Sequence, residues 1–183
     1  VTGWQVMALK SALGAGARVP PETLLRAMGH FLRQGRPQGD LNYASAAPFS
    51  GRLGCGMAAV GLASRAFLGW PAEAPVMREA SENCLRNLPE WGAWSRDPFH
   101  GAYYWYYATL GLHQVGGQAW ERWDAPMREL LIRSQSTAGQ DAGSWDPDCL
   151  FAGIGGRHCA TALNVLTLEV YYRYLPLHER RRS

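Results

Sequence analysis

The side chains best suited to chemistry crowd into one stretch near the C-terminal end, Asp146-Pro147-Asp148-Cys149 followed by Arg157-His158-Cys159. As acids, Asp146 and Asp148 are candidates for proton transfer, although Asp-Pro is also ordinary turn chemistry. As ligands, Asp148, Cys149, His158 and Cys159 supply the four N, S or O donors that zinc prefers, and one loop could draw them together. No Cys-x-x-Cys pair accompanies them, so no metal or other cofactor is expected. The four cysteines admit two accounts. Cys55 with Cys84 and Cys149 with Cys159 could form disulfides, each contributing roughly 2–4 kcal/mol and fitting an exported protein. Alternatively all four are reduced core thiols, which suits Cys84 on its apolar helix face. His30 and His113 stand on helices without partners at metal spacing and read as structural. Neither a Gly-x-Ser-x-Gly elbow nor a phosphate-binding loop is present.

The elements that must position these residues are helices. Apolar stretches open at Thr2-Gly3-Trp4, Gly54-Cys55-Gly56-Met57, His100-Gly101-Ala102-Tyr103 and His158-Cys159-Ala160-Thr161, a loose period of roughly 50 residues of the kind that marks helical arrays. Each but the last is followed by a more polar helical stretch. The spacing predicts helices over 3–15, 21–34, 56–67, 75–88, 102–115, 120–134 and 160–174, about seven in all. Pro21 and Pro75 suit first helical positions, where the missing amide hydrogen has no intrahelical use. Leu24, Leu25, Met28, Phe31 and Leu32 make the buried stripe of the second helix. The chain therefore reads as an all-α domain of stacked antiparallel hairpins over residues 1–177, with a basic tail over 178–183. A lone hairpin cannot bury its own apolar face, so neighbours must stack.

Links within hairpins are short and links between them are long, at 35–54, 89–100 and 137–157. If the apolar helices are parallel inner members, every long loop lies at the end where they begin, and that mouth is the candidate working face. Arg52, His100, Arg157 and His158 fall just before or at those helix starts, where positive dipole ends gather, so the mouth suits an anion. The competing reading makes the arginines loop-to-helix caps that pair with carboxylates such as Asp146 or Asp148.

Composition bounds the rest. The chain has 183 residues, 47% hydrophobic and 18% charged, enough for one globular domain. Its formal charge of +3 owes much to Arg180-Arg181-Arg182, so nucleic acid is not the expected partner. No apolar run reaches the ~20 residues needed to span a bilayer, because Arg65 interrupts the longest. The chain opens at Val1 within a helical pattern, as an excised or processed piece of a larger protein would.

Arg133-Ser134-Gln135 followed by Gly143-Ser144-Trp145 resembles the glutamine–tryptophan repeat of squalene-hopene and related triterpene cyclases, in which a helix-ending Gln precedes a Gly-x-Trp. Pro89-Glu90-Trp91-Gly92-Ala93-Trp94 keeps Gly-x-Trp without the Gln, and Leu168 to Leu177 resembles bacterial squalene-cyclase-like repeat proteins. The resemblance implies a partial α/α toroid, the fold shared with protein prenyltransferase β subunits and thioester domains. It implies that Gln135, Gly143 and Trp145 brace adjacent hairpins, with the Gln amide on backbone groups at an inner-helix start and the indole covering them. Three activities come with the superfamily, and each signature is incomplete. The cyclase Asp-x-Asp-Asp acid corresponds to Asp146-Pro147-Asp148-Cys149, which ends in Cys. The prenyltransferase zinc set needs an Asp two residues before a Cys, whereas Asp148 and Cys149 are adjacent. The internal thioester needs Gln three residues after Cys55, where Ala58 stands.

The expectation is therefore a non-catalytic binding or scaffolding domain in a larger bacterial protein, engaging flanking repeats, a protein segment or an apolar ligand. The alternative is an isoprenoid-handling enzyme using Asp146 and Asp148, with Trp4, Tyr104 and Trp105 as cavity wall. An enzyme needs an enclosed void ringed by Tyr104, Trp105 and the Asp146 loop, whereas a module can have a filled core.

Overall fold

A computed structural model describes residues 2–35, 41, 54–93 and 100–173. Among these, seven helices account for nearly all regular structure: α1 Thr2–Gly14, α2 Pro21–Gln34, α3 Gly54–Phe67, α4 Pro75–Arg86, α5 Ala102–Val115, α6 Gly117–Ser134 and α7 Leu150–Arg173. Among the described residues, extended backbone pairs only in an isolated antiparallel bridge between Gly35 and Leu41. The protein is all-α. Among the described residues no helix is long and apolar enough to cross a membrane. The basic 178–183 tail, Arg52 and Trp94 lie outside the described residues.

The expected helices form with small shifts at their ends. Pro21 and Pro75 occupy first-turn positions of α2 and α4, and α5 has the bounds its sequence suggests. α6 starts earlier than expected, at Gly117, and carries Pro126 inside it. The larger difference is α7. It begins at Leu150, inside the stretch read as a long loop, and breaks at Gly156, whose φ of 69° and ψ of −170° are not helical. Gly153, Gly155 and Gly156 disfavour helix locally, so propensity concealed the segment before the break.

The apolar helices form a row in which α1 packs on α3, α3 on α5 and α5 on α7, with α4 against α3 and α6 against α5. Hydrogen bonds fix their directions. α5 and α6 join through Gly116, and Trp123 Nε1 donates to Thr109 Oγ1 at 2.8 Å, seven residues either side of that joint. They are therefore antiparallel. The end of α4 meets the start of α5, where the Tyr104 hydroxyl donates to the carbonyls of Cys84 (3.1 Å) and Asn87 (2.8 Å). The end of α6 meets the second part of α7, through Trp145 bonded to both Leu131 and Thr161. α4 and α6 thus finish where α5 and the second part of α7 begin, so α5 and α7 start at one end.

Close approach within the row depends on small residues. Gly111 of α5 lies against Leu62 and Ala63 of α3, and a Cβ there would come within 2.7 Å of Leu62 Cγ. A methyl group would push the helices apart, because packed interiors do not yield by that much. Around this contact the core is largely aromatic. Tyr104, Trp105, Tyr107 and Trp123 are fully buried and Tyr106 nearly so. α5 is therefore enclosed on all sides, as its almost uniformly apolar sequence requires. The two ends of the row are less covered: Ile154 and Tyr172 of α7 are exposed, and of the expected α2 stripe only Phe31 is buried while Leu25 and Leu32 face solvent, because among the described helices α2 packs chiefly on α3.

Candidate functional site

The shared end of the inner helices contains two joints of different construction. At the first, α4 ends in Arg86 and the chain turns through Asn87, Leu88, Pro89 and Glu90. The last carbonyls of any helix lack intrahelical donors. Here the Tyr104 hydroxyl supplies one to Cys84 and Asn87, and the Asn87 side chain donates to the Asn83 carbonyl at 2.7 Å. His100, nearly buried, holds Leu88 from the far side, with Nε2 at 3.1 Å from its carbonyl oxygen. Its ring packs between Tyr104 and Trp105 at 5.2 and 6.1 Å. Trp91 lies against Trp105 at 6.0 Å. These supports leave a cleft of about 510 Å3 between the 86–90 turn, Ala93 and His100. Its walls combine charge from Arg86 and Glu90, an amide from Asn87, and apolar surface from Leu88 and Pro89.

The second joint is filled. The loop after α6 closes on itself through Ser136 N–H to Ser144 O, Gly143 N–H to Ser136 O, and the Gln135 amide to Gly143 O at 2.9 Å. It delivers Trp145, buried to 2% exposure, whose indole donates to Leu131 O at 2.8 Å while Thr161 Oγ1 receives the Trp145 amide. Gln135, Gly143 and Trp145 do act together, but not in the expected division of labour. The Gln amide ties its own loop, and the Trp, rather than the Gln, bridges α6 to α7.

Other candidates separate. Arg157 bonds to Asp146 and Ser144 and lies 3.3 Å from Asp141, so two carboxylates offset its charge. This is the capping arrangement, not an open anion site. His158 is exposed, and His100 is committed to Leu88. Trp4, Tyr104 and Trp105 do not line one wall. Trp4 packs on Tyr106 and Tyr107, Tyr104 on Trp123, and Trp105 on Trp91. The physical reason is that successive helical residues point about 100° apart.

The set Asp148, Cys149, His158 and Cys159 does not converge either. Among the described residues no three His, Cys, Asp or Glu side chains gather where they could hold a metal. Asp148 and Cys149 turn inward against Ala102 and Gly101, whereas His158 faces solvent beyond the break at Gly156. No disulfide joins any of the four cysteines. Burial pushes the Cys84 thiol up to about 12, so it is chemically quiet at neutral pH.

The two carboxyls of the acid motif have opposite surroundings. Asp146 is exposed and paired with Arg157. Asp148 is 2% exposed, with Oδ1 accepting the Ala102 N–H at 3.4 Å and Oδ2 buried without a hydrogen-bond partner. Desolvation raises its pKa to about 6, against the lowering effect of the Ala102 N–H and its own backbone. Spacing could not separate the two acids; only the inward turn after Pro147 does. The cleft, too, escaped sequence reading. The one available signal was the length of the 87–101 link, whose Pro89 reads simply as a helix stop. No family model, curated protein or solved structure matches this chain.

Proposed function

We propose that this chain is a non-catalytic binding or scaffolding domain of α/α-toroid type within a larger protein, holding a protein segment in the cleft between α4 and α5. The observation that carries the reading is a contrast. The aromatic helix that an isoprenoid cavity would need is used up in packing, while an open cleft of about 510 Å3 remains beside it. Clefts of several hundred Å3 are the usual size for small ligands or a few peptide residues. The mixture of guanidinium, carboxylate, amide and apolar surface matches a peptide better than a hydrocarbon. The exposed leucines of α2 and the exposed Ile154 and Tyr172 of α7 support a place between flanking repeats of one parent chain.

Panning a random peptide library on the wild-type domain and on Leu88→Arg tests this reading, since Leu88 is partly exposed at the cleft edge. Enriched peptides should bind Leu88→Arg about tenfold or more weakly, a loss of about 1.4 kcal/mol. Equal binding to both proteins, or no enrichment, overturns it.

One observation favours the isoprenoid-enzyme alternative, namely the buried Asp148 carboxyl with its raised pKa, the state an acid catalyst requires. Under that reading, incubation with squalene or farnesyl diphosphate yields product that disappears in Asp148→Asn and persists in Asp146→Asn. No turnover by the wild type rejects it.

A further inference from the structure

The α5–α7 joint is built around Asp148 in a way that its structural duty does not require. The stretch 146–149 approaches the start of α5 so closely that Gly101 admits nothing larger: a Cβ there would come within 2.5 Å of Cys149 Cβ and 3.2 Å of the Asp148 carbonyl oxygen. Gly101 also holds φ at 153°, outside the range comfortable for other residues. Into this contact the chain inserts a carboxyl with one long hydrogen bond and one oxygen with none. A buried carboxylate so poorly solvated is costly, and the cost falls sharply once it is neutral. Cys149 shares the buried position, its Sγ accepting the Ala152 N–H at 3.4 Å.

We infer that the Asp148 carboxyl is a proton-operated latch: neutral, it seats the 146–152 segment against the start of α5, and ionised, it releases that segment. The charges around it do not oppose this. Among the described residues, the titratable groups within a few positions of this contact are His100, tied to Leu88; Tyr103, packed on Tyr107; Tyr104, tied to Cys84 and Asn87; Cys149; and Asp146, paired outward with Arg157. Among the causes of the Asp148 shift, burial is the largest and no charged side chain contributes. The sign follows from linkage. The seated form holds its proton up to about pH 6, whereas a released aspartate loses it near 3.8. The seated form therefore binds more protons between these values, and seating weakens as pH rises through that window, then levels off above it. The inference stands whether or not the cleft binds a peptide.

Thiol labelling reads the latch directly, because Cys149 reacts only when the segment leaves. The intact domain is pulsed with methyl methanethiosulfonate from pH 5 to 7.5, and labelling at each cysteine is resolved by peptide mass spectrometry. Dividing the wild-type rate at Cys149 by that of Asp148→Asn cancels the pH dependence of the thiol itself. With the two ionisation points above, the quotient should rise about tenfold across this range. The same quotient at Cys84, in the α4–α5 core, should stay flat. A flat quotient at Cys149 overturns the latch. Parallel rises at both cysteines also overturn it, since they report global loosening. If Asp148→Asn does not fold, the wild type suffices: the Cys149 rate divided by that of the half-exposed Cys159 carries the same tenfold rise.

Discussion

At the α6–α7 joint a loop side chain, Trp145, reaches back to the last turn of the outer helix, whereas at the α4–α5 joint the reach comes from Tyr104, inside the next inner helix. Both add a donor at the closing turn of an outer helix, where carbonyls outnumber intrahelical donors. The origin of the donor then decides what becomes of the intervening chain. When the loop provides it, the loop must come inward, and Trp145 fills the joint to 2% exposure. When the inner helix provides it, the 87–90 turn stays at the rim of a cleft of about 510 Å3 beside His100. One fold thus carries a sealed joint and an open one.

The sharpest way to break this comparison is to remove the sealing side chain. Trp145→Ala deletes a buried ring and its bond to Leu131, and large-to-small changes of this kind cost about 3–5 kcal/mol. Urea unfolding followed by circular dichroism should show that loss. A cost below about 1 kcal/mol would mean that the joint is held by its backbone bonds alone.

A smaller effect is expected at the open joint. Tyr104→Phe keeps the ring against Trp123 and removes only the hydroxyl, leaving the Cys84 and Asn87 carbonyls without that donor. The Asn87 carbonyl borders the cleft, where water can replace the lost partner, so the expected cost is about 1–2 kcal/mol. The same unfolding assay measures it. A cost equal to that of Trp145→Ala would show that the open joint is as dependent on its donor as the sealed one, against the distinction drawn above.

How much of this was legible before the structure differs from element to element. The helical period of α2 shows in its sequence although Leu25 and Leu32 stay exposed, and α5 shows as an apolar run too long for a strand, against the weak helix propensity of its aromatic residues. The part of α7 before Gly156 does not, since Gly153 and Gly155 argue against helix there. The glutamine–tryptophan grouping was visible as a grouping, but its hydrogen-bond partners depend on how the loop folds over eight residues, and spacing alone does not carry that. Asp146 and Asp148 differ by two residues and by nearly complete burial against exposure, a difference set by the chain's contact with Gly101 rather than by any local pattern. The cleft had least signal of all. It consists of a turn and a helix start whose residues, taken singly, are common in any loop.

The gentlest intervention at the sealed joint tests what its loop is for. The Gln135 amide bonds to Gly143 O in a loop already closed by the Ser136–Ser144 and Gly143–Ser136 backbone bonds, and the site is partly open to water. Gln135→Ala should therefore cost only about 0.5 kcal/mol by itself. If the loop exists to present Trp145, that cost has meaning only while the indole is there to be presented. Introduced together with Trp145→Ala, the Gln135 change should be silent, giving a coupling energy of about 0.5 kcal/mol in a double-mutant cycle. Additive losses would instead make the loop an independent stabilising unit, and the sealed joint would then owe its closure to the loop as much as to the ring it delivers.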